Sequence, residues 1–373
     1  MANETEVYNE LAEAWCLKGS KSFIKLAELW FTPEEAKVLS KLSWWMTPAE
    51  LAKKLKADEG YVNSTIDNLA KRGWVRRREG QVNAGPNLGA PFPQMAPPGV
   101  PVEKFNQLWV DFYRGGDNQN WIVDKWLLRL EATGHAVHRV IPATKALRAS
   151  PNLKPQDILW YEDMDQILAR AKRISGARGK DACGCRKTWG VCESPIGCMG
   201  WSFDDKPMRM GPNRKELSVE EAKAMVAEAE EYGNVNVPPN LAMTEVTCFC
   251  CPCCCHCLSP GLNYGKPYKG YGKVQAGNAP SRFRPVIDLE LCNGCQTCVG
   301  RCHFDAVEMV KIPGSKKMKA AIIADNCMGC GLCVFKCPQK AIRLEVVYPP
   351  EHIPTWSRNE MTNWDLLPLS KAK

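Results

Sequence analysis

The stretch that decides the fold is Cys292-Asn293-Gly294-Cys295-Gln296-Thr297-Cys298, which runs on to a fourth cysteine at Cys302. The same spacing returns 35 residues later as Cys327-Met328-Gly329-Cys330-Gly331-Leu332-Cys333, with its fourth cysteine at Cys337. Two copies of one short unit, each with four cysteines at fixed spacing, indicate an internally repeated domain built around bound metal.

The repeat closely resembles the bacterial-type ferredoxin with two 4Fe–4S clusters, over residues 282–348. In that family three thiolates of one tight loop bind three irons of a cubane, and the fourth thiolate comes from the other repeat. The resemblance implies that one cluster has the ligands Cys292, Cys295, Cys298 and Cys337, and the other Cys327, Cys330, Cys333 and Cys302. His303 departs from the family pattern, which usually has proline after the fourth cysteine.

A second cysteine-rich region precedes the repeats. Its eleven thiols are Cys183, Cys185, Cys192, Cys198, Cys248, Cys250, Cys251, Cys253, Cys254, Cys255 and Cys257. They are candidate ligands for one or two further 4Fe–4S clusters, because each cubane takes four thiolates. The alternatives are a zinc site built from Cys183, Cys185, Cys192 and Cys198, and a non-standard cluster that performs chemistry. Between the two segments, Ser218 and Glu221 predict a capped helix through Tyr232 that packs them together.

The choice between metal and disulfides depends on the cell compartment. Cys16 is the one cysteine of 20 outside residues 183–337. The N-terminal sequence is acidic and lacks a signal-peptide pattern, so we expect a cytoplasmic protein with reduced thiols. Two uncharged stretches, 81–102 and 246–265, are too rich in Pro, Gly and Cys to span a membrane. Metal clusters are favoured, and the whole arrangement resembles multi-cluster iron–sulfur proteins of anaerobes.

Residues 1–82 form a predicted helical domain that ends in a pair of strands. Three helices are expected to begin near Pro33, Thr47 and Asp58, the second with a capping box. A strand, a turn and a return strand follow from Trp74. Helix, turn, helix and basic wing in this order resemble a winged-helix domain.

The winged-helix pattern raises the question of DNA. Residues 37–80 carry ten Lys and Arg against five acids, a net charge of +5, while the whole chain has only +8. A DNA complex would place the third helix in the major groove, with Asn63, Ser64, Thr65, Asp67 and Asn68 available for contact. No Arg or Lys precedes Lys71 on that helix, which is a weak set for reading guanine. A docking domain is therefore the favoured interpretation, and DNA binding the alternative.

Four lysines and two histidines are further candidate functional residues. Lys311, Lys316, Lys317 and Lys319 lie between the two repeats and are candidates for steering an acidic redox partner. His135 and His138 follow the Trp-rich helices and are interpreted as ordinary core or surface histidines.

We predict an α+β fold in six segments. These are a winged-helix-like domain (1–82), a Pro-rich linker (83–102), a helical Trp-rich region (103–180), a cysteine-rich cluster region (181–281), a ferredoxin domain (282–348) and a tail (349–373). The leading hypothesis is a cytosolic electron carrier or oxidoreductase subunit that relays electrons between a soluble redox partner and a second protein. The alternatives are an iron–sulfur redox-sensing transcriptional regulator, and a reductase subunit with a catalytic cluster in the cysteine-rich region; no substrate is indicated.

Overall fold

The computed structural model describes residues 2–42, 45–84, 96–179, 183–189, 192–205, 214–265, 267, 272, 274–275 and 277–355. Residues 85–95 of the predicted linker and 356–373 of the predicted tail lie outside the described residues. The described chain divides into two compact units, one within residues 2–125 and the other within residues 126–355. Helices and strands are both present, which confirms the α+β prediction.

The first unit begins with five helices and a strand pair. Its elements are α1 Ala2–Ala14, α2 Lys21–Trp30, α3 Pro33–Lys41, α4 Pro48–Leu55, α5 Glu59–Lys71, β1 Val75–Arg78, β2 Gln81–Ala84, α6 Val102–Arg114 and α7 Asp117–Thr133, which contains the unit boundary. Thr32 and Thr47 start α3 and α4 through capping boxes, and the Asp58 side chain caps α5. β1 and β2 pair antiparallel. The three predicted helices and the wing are confirmed.

Aromatic side chains form the core of the first unit. Trp15 packs against Phe23, Phe31 and Trp74, and Trp30 packs against Trp74, Phe105 and Trp109. Such pairs contribute about 0.5–1.5 kcal/mol each beyond the area they bury. Since Phe105 and Trp109 belong to α6, the first Trp-rich helix shares one core with the winged helix.

The second unit contains a sheet that the sequence analysis did not predict. Its elements before the repeats are β3 His138–Arg139, α8 Thr144–Arg148, α9 Met164–Arg170, β4 Arg173–Arg178, α10 Gly184–Trp189, β5 Ile196–Ser202, β6 Arg214–Glu216, α11 Val219–Tyr232, β7 Val235–Val237, β8 Val246–Cys250, α12 Ser259–Tyr264 and β9 Asn278–Ala279. Five strands pair antiparallel in the order β6-β4-β5-β8-β7. The capping box at Ser218 starts α11 as predicted, and α11 buries Ala222, Met225 and Val226 in the core beside β4 and β5.

The two repeats interlock through their strands. Their elements are β10 Phe283–Ile287, α13 Thr297–Arg301, β11 Val307–Lys311, β12 Met318–Ile322, α14 Leu332–Phe335 and β13 Ile342–Val346. β10 pairs with β13 and β11 pairs with β12, both antiparallel. Each two-stranded sheet therefore takes one strand from each repeat, so neither repeat completes a sheet by itself. No described helix is long and apolar enough to cross a membrane.

Candidate metal centres

The two cysteine loops turn tightly at equivalent glycines. Residues 292–298 are named the first cluster loop and residues 327–333 the second cluster loop. Gly294 has φ +77° and Gly329 has φ +65°. A Cβ at Gly294 would overlap the carbonyl of Met318, and one at Gly329 would overlap the carbonyl of Phe283. Both loops thus need glycine for conformation and for space.

Cysteines from both repeats meet at one cavity. A small cavity of about 20 Å³ is lined by Cys292, Cys295, Cys298 and Cys337. The Ala341 N–H donates to the sulfur of Cys337 at 3.3 Å, the kind of amide–sulfur contact that adjusts the potential of a cluster. Four thiols around one cavity are the donor set that a 4Fe–4S cluster requires, so these residues fit that group.

The second set of four is similarly arranged. Cys302 lies within electrostatic reach of Cys327, Cys330 and Cys333, and the Ala306 N–H donates to the Cys302 sulfur at 3.4 Å. Desolvation raises the pKa of Cys327 to about 11 and that of Cys330 to about 12. These thiols stay protonated at neutral pH unless a metal displaces the protons, so cluster binding here releases protons.

The rim of the first cluster loop is apolar and basic. Leu289, Leu291 and Met318 are 40%, 52% and 45% exposed, and they flank the loop. Residues 311–319, named the basic hairpin, lie beside it, since the Lys319 ammonium donates to the Cys292 carbonyl at 2.5 Å. Lys316 and Lys317 of this hairpin are exposed.

An open cavity of about 1060 Å³ lies on another side of the same cluster site. It reaches Cys337 and is lined in part by Lys145, Arg148, Lys223 and Lys340. Lys145 pairs with Glu231 at 2.5 Å, and Arg148 pairs with Asp163 at 2.6 Å. Asp165 and Glu230 line the cavity as well, and among the described residues no ion pair involves Lys223 or Lys340.

Four of the central cysteines form one compact group. The sulfurs of Cys192, Cys251, Cys253 and Cys254 all lie within 4.8 Å of one another. The Cys251 and Cys254 sulfurs are 2.9 Å apart, and those of Cys253 and Cys254 are 3.8 Å apart. Hydrogen bonds from Cys253 and Cys254 lower the pKa of the Cys251 thiol.

The remaining central cysteines follow neighbouring strands. Cys198 on β5 and Cys248 on β8 lie next to the paired residues Met199 and Thr247, and their sulfurs are 3.9 Å apart. Cys183 contacts both Cys185 and Cys198. The Cys198 side chain therefore contacts a cysteine of β8. Cys192 precedes β5, and its sulfur instead lies among the cysteines of the turn at 251–254. The zinc set Cys183, Cys185, Cys192 and Cys198 is accordingly not a compact group in the described residues.

A histidine joins the second group. The sulfurs of Cys248, Cys250 and Cys257 lie within 4.8 Å of one another, and His138 Nε2 is 3.6 Å from the Cys257 sulfur. Burial lowers the pKa of His138 to about 4, so the imidazole is neutral at pH 7. The Cys250 sulfur also contacts the sulfur of Cys255. Nothing in the sequence associated His138 with these thiols, which follow it by more than 100 residues.

The third helix of the winged-helix region, α5, offers fewer groups to DNA than the sequence suggested. Thr65 is buried and donates to the Tyr61 carbonyl at 3.0 Å, so it does not face a groove. Asp67 pairs with Arg77 of the wing. Ser64 and Asn68 remain exposed polar residues on this helix.

Two family models match the chain. A 4Fe-4S dicluster domain matches residues 285–344, and the MarR family matches residues 31–83. A search of curated proteins found no match. The chain therefore carries an iron–sulfur domain of the predicted type and a winged helix of the MarR type, and both parts of the predicted architecture are confirmed.

Proposed function

We propose that this protein is an iron–sulfur electron carrier that exchanges electrons with an acidic redox protein at the first cluster loop. The observation that supports this most is the rim of that loop. Electron transfer needs a partner to approach a cluster closely, and Cys295 is the exposed cysteine of the first set. By the ferredoxin resemblance, Cys292, Cys295, Cys298 and Cys337 hold this cluster.

The rim has the chemistry of a transient docking surface. Exposed apolar side chains at Leu289, Leu291 and Met318 flank the loop, with the exposed Glu290 between the two leucines. The basic hairpin beside them adds the exposed side chains of Lys316 and Lys317. An apolar centre within a charged border is typical of protein interfaces. Positive charge at the border steers a negatively charged partner and raises its association rate.

The second cluster extends the path inward. Cys327, Cys330, Cys333 and Cys302 are its proposed ligands, and Met328, Leu332 and Cys333 are buried. From there electrons would pass towards a second protein, with the central cysteines as further metal ligands on that side. We place this activity in the cytoplasm of an anaerobe, because so many reduced thiols survive best without oxygen.

Charge reversal on the basic hairpin tests the docking surface. The variant K316E/K317E is compared with K223E/K340E, which makes the same charge change at the cavity beside Cys337. The second-order rate of electron transfer to an acidic flavodoxin or ferredoxin is measured by stopped flow at low salt. The hairpin variant should slow the rate by about 10-fold or more, with a weaker dependence on salt. Equal slowing in both variants, or none in the hairpin variant, contradicts the proposal.

The iron content gives an independent check. Two cubanes predict about 8 Fe and a matching amount of sulfide per chain after anaerobic purification. A value near 4 would contradict the assignment of two complete ligand sets.

A second candidate function is redox-sensing transcriptional regulation, and the MarR match over residues 31–83 favours it. In this case the oxidation state of the clusters would change affinity for a specific operator. Gel shifts with upstream DNA of its own operon, using oxidised and reduced protein, test this. Binding that is sequence-indifferent and lost with rising salt would count against regulation.

A further inference from the structure

We propose that Cys192, Cys251, Cys253 and Cys254 bind one tetrahedral metal ion of the zinc class, and not a 4Fe–4S cubane. The assignment rests on the proposed function in one respect, since it treats the central cysteines as metal ligands. The proposal identifies which four of these thiols bind one ion and which class of metal they bind.

The first argument is the spacing of the sulfurs. Zinc binds thiolate at about 2.3 Å, so tetrahedral geometry places the four sulfurs about 3.8 Å from one another. All four sulfurs of this group lie within 4.8 Å of one another, with those of Cys253 and Cys254 at 3.8 Å and those of Cys251 and Cys254 closer, at 2.9 Å. In a cubane each thiolate binds a different iron, and the sulfurs stand farther apart. Within the described residues no three of the eight ferredoxin cysteines are as close as this group.

The second argument is the local chain. Cys251 and Cys254 have the C-x2-C spacing common at zinc, and both are buried on a turn directly after β8. Cys253 is exposed and closes the group from the solvent side. Cys192 arrives from before β5 as the fourth donor. Four protein ligands with no open position describe a structural site, which would join the two cysteine segments.

The third argument is charge. A divalent ion with four thiolates carries a net charge of −2, and burying that charge needs a nearby cation. Arg186 is 3% exposed and lies beside Cys183 as well as beside Cys192 and Cys251 of the proposed site. It is held in place because its Nη1 donates to the Ile196 carbonyl at 2.6 Å. Arg186 thus supplies a buried positive charge where the proposed site needs one.

The test uses the full-length protein purified anaerobically, with zinc, iron and sulfide measured on each variant. The variant C253S removes an exposed ligand and should disturb packing least. It should lose about one zinc per chain and keep about 8 Fe. C16S, an exposed cysteine of the first unit, is the matched control and should keep both metals. Loss of about 4 Fe in C253S, or unchanged zinc in it, overturns the assignment.

Two further measurements keep the assignment testable if C253S misfolds. X-ray absorption at the zinc edge of the unaltered protein should show four sulfurs at about 2.3 Å, and a nitrogen ligand or fewer sulfurs would overturn it. R186Q should weaken zinc binding by roughly 10–100-fold in competition with a chromophoric chelator, and an unchanged affinity counts against the role of Arg186. Electron-transfer rates report separately on the proposed function, so either conclusion can fail without the other.

Discussion

The first and second cluster loops share one cysteine spacing but lie in different surroundings. In the first, Asn293, Cys295 and Gln296 are exposed. In the second, Met328, Gly329 and the residues 331–333 are buried.

The difference comes from what packs on each loop. The Ala143 N–H donates to the Cys330 carbonyl at 2.9 Å, and the Ser281 N–H donates to the Met328 carbonyl at 3.0 Å. Ala146 of α8 lies directly against Gly331. In the described residues the first loop instead contacts the basic hairpin, through the Lys319 ammonium at the Cys292 carbonyl and the Met318 carbonyl against Gly294. A motif therefore fixes the ligands of a cluster, while segments far away in sequence fix its access to solvent and to partners.

Removing one ligand from each loop should separate the two environments most strongly. C295S should lose the exposed cluster alone, about 4 Fe of about 8. C330S should lose more than 4 Fe and lower the Tm further, because its loop also holds α8 and the core around it. Iron analysis and thermal unfolding under argon measure both effects. Identical losses in the two variants would break the comparison.

Residues 296 and 331 occupy equivalent positions in the two loops, and exchanging them should change the free energy of unfolding by different amounts. Gln296 has φ +63° and Gly331 has φ +74°, so both loops use the left-handed region there. G331Q adds a side chain against Ala146 and should destabilise the protein by roughly 1–3 kcal/mol. Q296G relieves left-handed strain at an exposed site and should be neutral or stabilising by at most about 1 kcal/mol. Urea unfolding of the cluster-loaded protein measures both, and matching costs would contradict the expectation.

The stability of α8, which packs on the second cluster loop, should depend on pH through Glu230. This buried carboxylate accepts from the Thr144 N–H at 2.7 Å and so caps α8 from α11. Burial raises its pKa to about 7, with Lys145 opposing and Asp165 reinforcing the shift. In the unfolded state this carboxyl loses its proton near pH 4.5, whereas in the folded state it keeps the proton up to about pH 7. The free energy of unfolding therefore decreases as the pH rises from about 4.5 to 7. E230Q keeps the oxygen acceptor and removes the charge, and its unfolding free energy should vary less over that range. A parallel pH profile in both proteins would contradict this.

The smallest effect is expected where the first repeat has histidine and the second has proline. His303 Nε2 donates to the Gly233 carbonyl at 2.7 Å, at the end of α11. H303P removes that bond and should cost about 1 kcal/mol. Pro338 occupies the matching position of the second repeat and is exposed. P338H should therefore change the free energy of unfolding by less than about 0.5 kcal/mol. Chemical denaturation of both variants decides the point.

Local signals in the sequence predicted the repeats, the wing and the helix starts. Capping residues such as Thr47 and Ser218 act within three residues, so a single sequence suffices to find them. The five-stranded sheet was missed because strands such as Ile196–Ser202 contain glycine and cysteine and are buried on both faces, so they lack a clear alternation of polar and apolar residues. The grouping of Cys192 with Cys251 depends on strand order across 59 residues, which cysteine spacing does not encode.

The pairing of β10 with β13 has a consequence for how such a protein can be assembled in evolution. It brings the two ends of the ferredoxin domain together: the Val347 N–H donates to the Arg282 carbonyl at 2.8 Å. A module whose entry and exit points are neighbours can be spliced into a host chain with little cost in loop closure. The cassette can thus be gained, exchanged or duplicated as one piece, while α8 and the segment before β10 adapt to it and decide which of its clusters is reached from outside.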